Sequence, residues 1–341
     1  MADDGGRRRA YIGSFTAAGG RGVLTAAVDP DSGALRLVGA VDAVPDPSYL
    51  ALSDTVLYAV SETADGAVAA FRVDGEGPVL IGAPVSVAGS EPTHLSVHAG
   101  HVLTANYGSG SVSALPLRGD GAFVDGAAVV LRHEGSGPVV DRQQSAHAHQ
   151  VQPDPSGRWI VSVDLGTDSV RVCALRGDAL SLHHETVLRP GSGPRHLAFH
   201  PDGERAYVLN ELAPTVTVCR WDAVAGTLEP AGEMPVLPDE PVGDAYPSGI
   251  AVSPDGRFVW TATRGQDVLS VLPVEGESLG RPDTVPCGGV WPRAITLAAG
   301  YLYVANERSG DVSWFAVDPA SGVPRRRGSV EAPAASCVVF G

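Results

Sequence analysis

Three features of the 341-residue sequence predict an all-β fold, a seven-bladed β-propeller with four antiparallel strands per blade. They are a repeat at a spacing of roughly 40 to 50 residues, a hairpin signature inside each copy, and the lack of any long stretch with helical periodicity. The clearest copies are AHQVQPDPSGRWIVSVDLG from Ala148, PRHLAFHPDGERAYVLNEL from Pro194 and PSGIAVSPDGRFVWTATRG from Pro247; weaker ones start at Pro47, Pro92 and Pro292. Each holds a short apolar run, a turn that is PDG-like in the clear copies, and a second run of alternating β-branched and aromatic residues, as two strands joined by a tight turn require. A third run follows, as in SVSALPL, SVRVCAL, TVTVCRW, VLSVLPV and DVSWFAV, and then a fourth, less regular one.

First strands are expected around Tyr49, His94, Gln150, His196, Gly249, Ala294 and Ser336. The last has nothing after it, whereas AYIGSFT and GVLTAAVD near the N-terminus read as second and third strands with no first strand before them. Both termini therefore complete one blade, with Cys337 to Phe340 pairing with the strand around Tyr11 to Gly13, and the closed ring leaves no unpaired edge. The expected organisation is a single domain over 1–341, with residues 1–9 as a disordered tail.

Composition excludes whole classes of chemistry. All 24 cationic side chains are arginine, against 39 Asp and Glu, for a formal charge of -15. Without lysine the chain cannot form a Schiff base, anchor pyridoxal phosphate or build a phosphate loop around an ammonium group. The acidic balance argues against a nucleic-acid partner and against an anionic membrane surface. No apolar run reaches the roughly 18 residues of a spanning helix, and MADDGGRRRAY carries no signal-type apolar segment, so a cytoplasmic protein is expected. Cys173, Cys219, Cys287 and Cys337 show no CxxC spacing and read as buried small hydrophobes. GxSxG, HExxH and GxGxxG motifs are missing, and no cofactor is expected.

In a propeller the start of each first strand and the finish of the antiparallel second strand face one mouth of the central channel. Read that way, the mouth collects Ser48 with Glu62, His94 with Tyr107, His147 with Asp164, Arg195 with Glu211, Ser248 with Arg264, Arg293 with Glu307, and Ser336 with Ser14 and Phe15. So many ionisable groups at one opening mark a functional site. His147, His149 and Asp164 have a pattern that could hold a divalent ion, but no third histidine is evident and a bulge would turn the two imidazoles apart, so no metal is expected. Two insertions, HEGSGPVVDRQQSAHAHQV and LPDEPVGDAYPSG, are longer than a blade connection needs and are expected to roof the mouth.

GSGPVVDRQQSAHAHQV, PTHLSV with LTANYGSGSVSALPL, GPRHLAFHPDGERAYVLNEL and PSGIAVSPDGRFVWTATRG together resemble the propeller-type 6-phosphogluconolactonase family, whose relatives include fungal carboxy-muconate lactonizing enzymes. The likeness runs from about Tyr11 to Phe340 and implies a metal-free propeller acting on lactones of acidic sugars or cyclic acids. It also implies a site of one His, two Arg and one Glu, which fall on His147, Arg195, Arg264 and Glu211. Lactone hydrolysis needs an activated water and a stabilised oxyanion. His147 or Glu211 can take the proton, with an imidazole nearer working pH, while Arg195 and Arg264 are clamps for an anion. The remaining mouth residues, His94, Tyr107, His149, Arg293, Glu62 and Asp164, are the substrate-binding candidates. The expected partner is a small anionic lactone, most simply 6-phosphogluconolactone, and the protein a monomer or weak homodimer. A cycloisomerase or cyclase built on the same groups, and a non-catalytic interaction propeller, are the rival readings.

Overall fold

The structure, a computed structural model, describes residues 8–341. These form seven antiparallel sheets and one short 3-10 turn, Thr16–Ala18. Numbered from the first complete copy, the innermost and second strands are Leu50–Ser53 and Val56–Ser61 in blade 1, Pro92–His98 and His101–Asn106 in blade 2, and Ala148–Pro153 and Ile160–Asp164 in blade 3. Blade 4 has Pro194–Phe199 and Arg205–Asn210, blade 5 Tyr246–Val252 and Phe258–Arg264, and blade 6 Pro292–Ala298 and Tyr301–Asn306. Blade 7 takes its innermost strand, Ala335–Phe340, from the C-terminus and its other three, beginning with Arg9–Ser14, from the N-terminus. Tyr11 pairs with Val339, Ile12 with Val338 and Gly13 with Cys337, the closure that the split repeat predicted.

Arg8 and Arg9 are held in place and do not belong to the expected tail. Residues 1–7 lie outside the described residues, but Arg9 pairs with Ala27, and the carbonyls of Arg8 and Arg9 accept from the backbone N–H groups of Val28 and Gly341 at 3.0 and 2.9 Å. The edge of blade 7 holds them.

The near-continuous apolar runs of the second strands have a simple cause: both faces of each blade are covered. Among the described residues there are seven apolar clusters, one between each pair of neighbouring blades. Alternate residues of one strand serve different clusters, Ala206 and Val208 facing blade 3 while Tyr207 and Leu209 face blade 5. All four cysteines are buried and free within these clusters. Aromatic groups tie one blade to the next: Trp260 donates to the carbonyl of Gly322 at 2.7 Å and Tyr303 to that of Gly33 at 2.9 Å. Both glycines are left-handed, and a Cβ there would meet an aromatic ring at 2.6 Å, so the turns require glycine.

One local device aims the site. In blades 2 to 7 the ladder between the innermost and second strands slips near the start of the innermost strand. Pro194 pairs with Asn210 and His196 with Leu209, which leaves Arg195 as the extra residue; Arg293 in blade 6 and His149 in blade 3 stand in the same position. Such a bulge re-aims a side chain without ending the strand. Left-handed backbone stands immediately before Pro47, Pro92, Pro194, Pro292 and Ala335, at Asp46, Glu91, Gly193, Trp291 and Ala334, and the corresponding residues of blades 3 and 5, His147 and Tyr246, which the long insertions precede, lack it.

Candidate active site

In blades 1, 4 and 6 the residue that follows the second strand is a glutamate ion-paired to the mouth arginines: Glu62, Glu211 and Glu307. Glu211 lies at the centre of the cationic half. Arg142 donates to its Oε1 at 2.5 Å, while Arg195 Nε and Arg264 Nη2 stand 3.0 and 2.7 Å from Oε2. Three guanidinium groups against one carboxylate leave two positive charges in excess. Burial would raise the Glu211 carboxyl, but Arg264, Arg195 and Arg142 outweigh it and hold the pKa at about 2. It is therefore an ionised counter-charge and a weak base. Arg195 Nε and Arg264 Nη2 are within ion-pair distance of Glu211 yet make no directed hydrogen bond, and both side chains are more than nine-tenths buried. Buried donors whose carboxylate partner lies off their hydrogen-bonding direction are available to a bound anion.

His147 stands beside this cluster. Its ring stacks on Tyr107 with centroids 4.4 Å apart, and its Nδ1 lies 2.9 Å from the Tyr107 backbone carbonyl. A carbonyl only accepts, so Nδ1 carries the hydrogen and the lone pair is on Nε2. The His147 backbone is pinned as well, its N–H donating to Asp164 Oδ1 at 2.9 Å and its carbonyl accepting from Leu165 at 3.0 Å.

Two expected mouth residues sit elsewhere for one reason, a register displaced by a single position. Asp164 matches Asn106, Asn210 and Asn306, the last residues of their second strands, and its side chain turns into the blade. There it accepts from His133 Nδ1 at 2.6 Å and from the N–H groups of His147 and Thr167, with no exposure to solvent. Asp164 positions His147 and does not face the channel; Leu165 takes the mouth position. His94 likewise lies one residue beyond the bulge residue Thr93, a layer below the arginines, packed at a tilt against Tyr49 with centroids 4.1 Å apart. His149 occupies a bulge but is buried, edge-on to Tyr107 and His196. The same bulge turns it away from His147, and among the described residues no three His, Cys, Asp or Glu side chains converge as a metal site. Tyr107, Arg293 and Glu62 do reach the mouth, the last two as an ion pair at 3.4 Å.

His94, His149 and His196 form the floor under Arg195, which donates to His196 Nε2 at 3.3 Å. Burial first, and the charge of Arg195 next, lower all three imidazoles, His94 to about 3. They stay neutral in the fold while the unfolded chain takes up protons below about 6.5, so stability falls as the pH drops from there toward 3. We expect a loss of about 1.4 kcal/mol per pH unit for each histidine, and His94→Gln to flatten the dependence of the melting temperature on pH by one such share. Equal slopes in variant and parent would count against the neutral floor. Below the floor the channel widens into a cavity of about 670 Å³ lined by Tyr49, His94, Gln150, Gln152 and His196 among apolar residues, with no charged side chain. An anion has its partners only at the other end.

Sequence reasoning missed Arg142. It lies in the first insertion, whose backbone is fastened by Gln143 Nε2 donating to the Leu165 carbonyl and to Asp168 Oδ1, both at 2.8 Å. Asp168 also accepts from the N–H groups of Gly191 and Gly193, so one buried carboxylate sets both Arg142 and the segment entering Arg195. DRQQ in that loop was the available signal. The second insertion folds over Gln266, which donates to the carbonyls of Val242 and Asp244, and Val242 is exposed.

Fold and site define a seven-bladed propeller with a cationic pocket at one end of its channel. The chain belongs to the lactonase family: the description "Lactonase, 7-bladed beta-propeller" matches residues 9–340. It is 32% identical over 342 residues to a 6-phosphogluconolactonase of Bacillus subtilis, covering 97% of each chain. Among solved structures, a putative 6-phosphogluconolactonase of Bacteroides fragilis superposes with a TM-score of 0.91 at 26% identity, covering 100% of this chain and 99% of the other. The periplasmic gluconolactonase of Pseudomonas aeruginosa superposes with a TM-score of 0.89 at 27% identity, covering 98% and 99%.

Proposed function

We propose that this protein hydrolyses a lactone of an acidic sugar, with 6-phosphogluconolactone opening to 6-phosphogluconate as the first substrate to test. The observation that carries the reading is the pair of buried, undirected donors on Arg195 and Arg264 beside a histidine whose Nε2 is free. In this reading His147 Nε2 takes a proton from water as the oxygen attacks the lactone carbonyl. Arg195 and Arg264 face the charge that develops on the carbonyl oxygen, where fixed donors act most strongly. As the intermediate collapses, the ring C–O bond breaks and His147 returns the proton to the departing alkoxide, so one water is added and nothing else is consumed. Glu211, ionised, keeps the guanidinium groups in place, and Arg142 supplies a further clamp from the loop. The relative from Bacillus subtilis supports the phosphorylated substrate.

The test follows acid release from freshly generated 6-phosphogluconolactone above its spontaneous rate. Ring-opened acid supports hydrolysis; an isomer of unchanged mass would transfer the same residues to a cycloisomerase, and no turnover on any lactone would favour an interaction propeller. A metal-independent reaction belongs to the same proposal, because Asp164 is taken by His133 and His149 faces away from His147. We expect full turnover after exhaustive chelation, and activity that returned only with an added divalent ion would overturn that part.

A further inference from the structure

The mouth is electrically divided. On the side of blades 3 to 5, three arginines surround one carboxylate; on the opposite side two carboxylates surround one arginine. Arg293, in the bulge of blade 6, reaches across blade 7 with Nη1 at 3.2 Å from Glu307 and Nη2 at 3.4 Å from Glu62 of blade 1. Blade 7 offers no carboxylate at the equivalent position but Phe15, whose ring lies 4.5 Å under the guanidinium. Arg293 thus holds the two acidic side chains apart, and on this side carboxyl groups outnumber guanidinium groups. The halves share one opening, because Arg195 feels Glu62 as well as Glu211, and Arg293 feels Glu211.

From this division we infer that Glu62 and Glu307 form a hydroxyl-reading subsite: the substrate is a polyhydroxylated lactone whose anionic group lies on the arginine side and whose hydroxyls donate to these two carboxylates. The inference rests on the mouth being the lactone site. Carboxylate oxygens accept hydrogen bonds, and sugar hydroxyls are neutral donors that complement them; burial raises the Glu62 carboxyl, and Arg293 is the first of the groups that oppose this. Glu62 Oε2 is already oriented by the Ser48 hydroxyl and Oε1 by Arg293, whereas Glu307 Oε1 has no protein donor among the described residues. The Glu62 and Glu307 side chains are 15% and 22% exposed, open to a ligand yet mostly shielded from water, where a charge-assisted hydrogen bond is strong. A second anion on this side would meet two carboxylates, and a cation would meet Arg293, so a neutral donor is the fitting partner. The buried donors of Arg195 and Arg264, ion-paired to Glu211 but making no directed hydrogen bond, are the independent sign that a ligand spans the mouth, with its charge on their side.

The experiment measures binding by calorimetry of two acids that carry the same phosphate and carboxylate, 6-phosphogluconate and hydroxyl-free 6-phosphooxyhexanoate, to the parent, Glu307→Gln and Glu62→Gln. Hydrogen bonds to charged groups predict that the parent prefers the polyol by about 10- to 100-fold, and that each substitution narrows this ratio by about tenfold. A parent with equal or no affinity for the two acids, or a ratio indifferent to both substitutions, overturns the subsite. Turnover separates this from the reading beneath it. No acid release with the expected ratios would sink hydrolysis and leave the subsite standing, whereas acid release with an indifferent ratio would do the reverse.

Discussion

Arg264→Ala and Arg195→Ala each lower turnover on the proposed lactone by about 10²-fold or more, the usual loss when one fixed donor to a developing oxyanion is removed. The two guanidinium groups come from blades 5 and 4 and meet at one carboxylate oxygen, so neither can replace the other's direction of approach. Arg264 is the cleaner test: apart from Glu211 it donates to the Tyr246 carbonyl at 3.3 Å, whereas Arg195 also binds the Ser248 carbonyl and caps His196. Melting temperatures measured alongside separate lost chemistry from lost packing. Arg205→Ala is the control. That side chain bonds Asp202 and the Gly276 carbonyl at the far end of the second strand of blade 4, so its loss weakens a blade contact and leaves turnover as it was. A rise in the Michaelis constant with unchanged turnover would show that Arg264 binds substrate and transition state alike. His147→Asn, which keeps an amide near the Tyr107 carbonyl but removes the free ring nitrogen, should abolish the basic group from the pH profile; Glu211→Gln should not, because Glu211 is already ionised down to about pH 2. Parent-like turnover in all of these variants would refute the site.

Deleting the last eight residues, Ala334 to Gly341, unfolds the protein. The deletion removes the innermost strand of blade 7, exposes the edge of Arg9–Ser14, and takes Ala335 and Val338 from one inter-blade cluster and Cys337 from the next. Burial of about 1.5 to 3 kcal/mol for each large apolar side chain, with about 1 kcal/mol for each ladder hydrogen bond, approaches the whole stability of a typical domain, about 5 to 15 kcal/mol. Open edges also pair with other chains. Loss of the cooperative melting transition, with aggregation on size exclusion, is the expected outcome. A truncated chain that melts within a few degrees of the parent would mean that the ring is closed elsewhere.

The blades are legible in the repeat alone. Seven copies with a fixed order of apolar run, turn and alternating run specify seven sheets, and because every blade is covered on both faces the pattern is strong and local. The orphan strand AASCVVFG and the orphan hairpin at AYIGSFT specify their own pairing, since an unpaired innermost strand would leave its backbone groups without partners. His147, Arg195, Glu211 and Arg264 were legible as mouth residues because each stands where an innermost strand begins or a second strand ends. Which face their neighbours take depends on how the assembled strands pair. A strand pattern has a period of two, so the one extra residue of a bulge sends every later side chain to the opposite face. That slip separates His94 on the channel floor from Thr93 in the bulge, while in blade 3 a difference of one position along the chain separates Asp164, bound to His133 inside the blade, from Leu165. Arg142 was hidden for a different reason: its place depends on Asp168 fastening Gln143 across the loop. The pairing of Arg293 with Glu62, 231 residues apart, exists only because the ring closes between them.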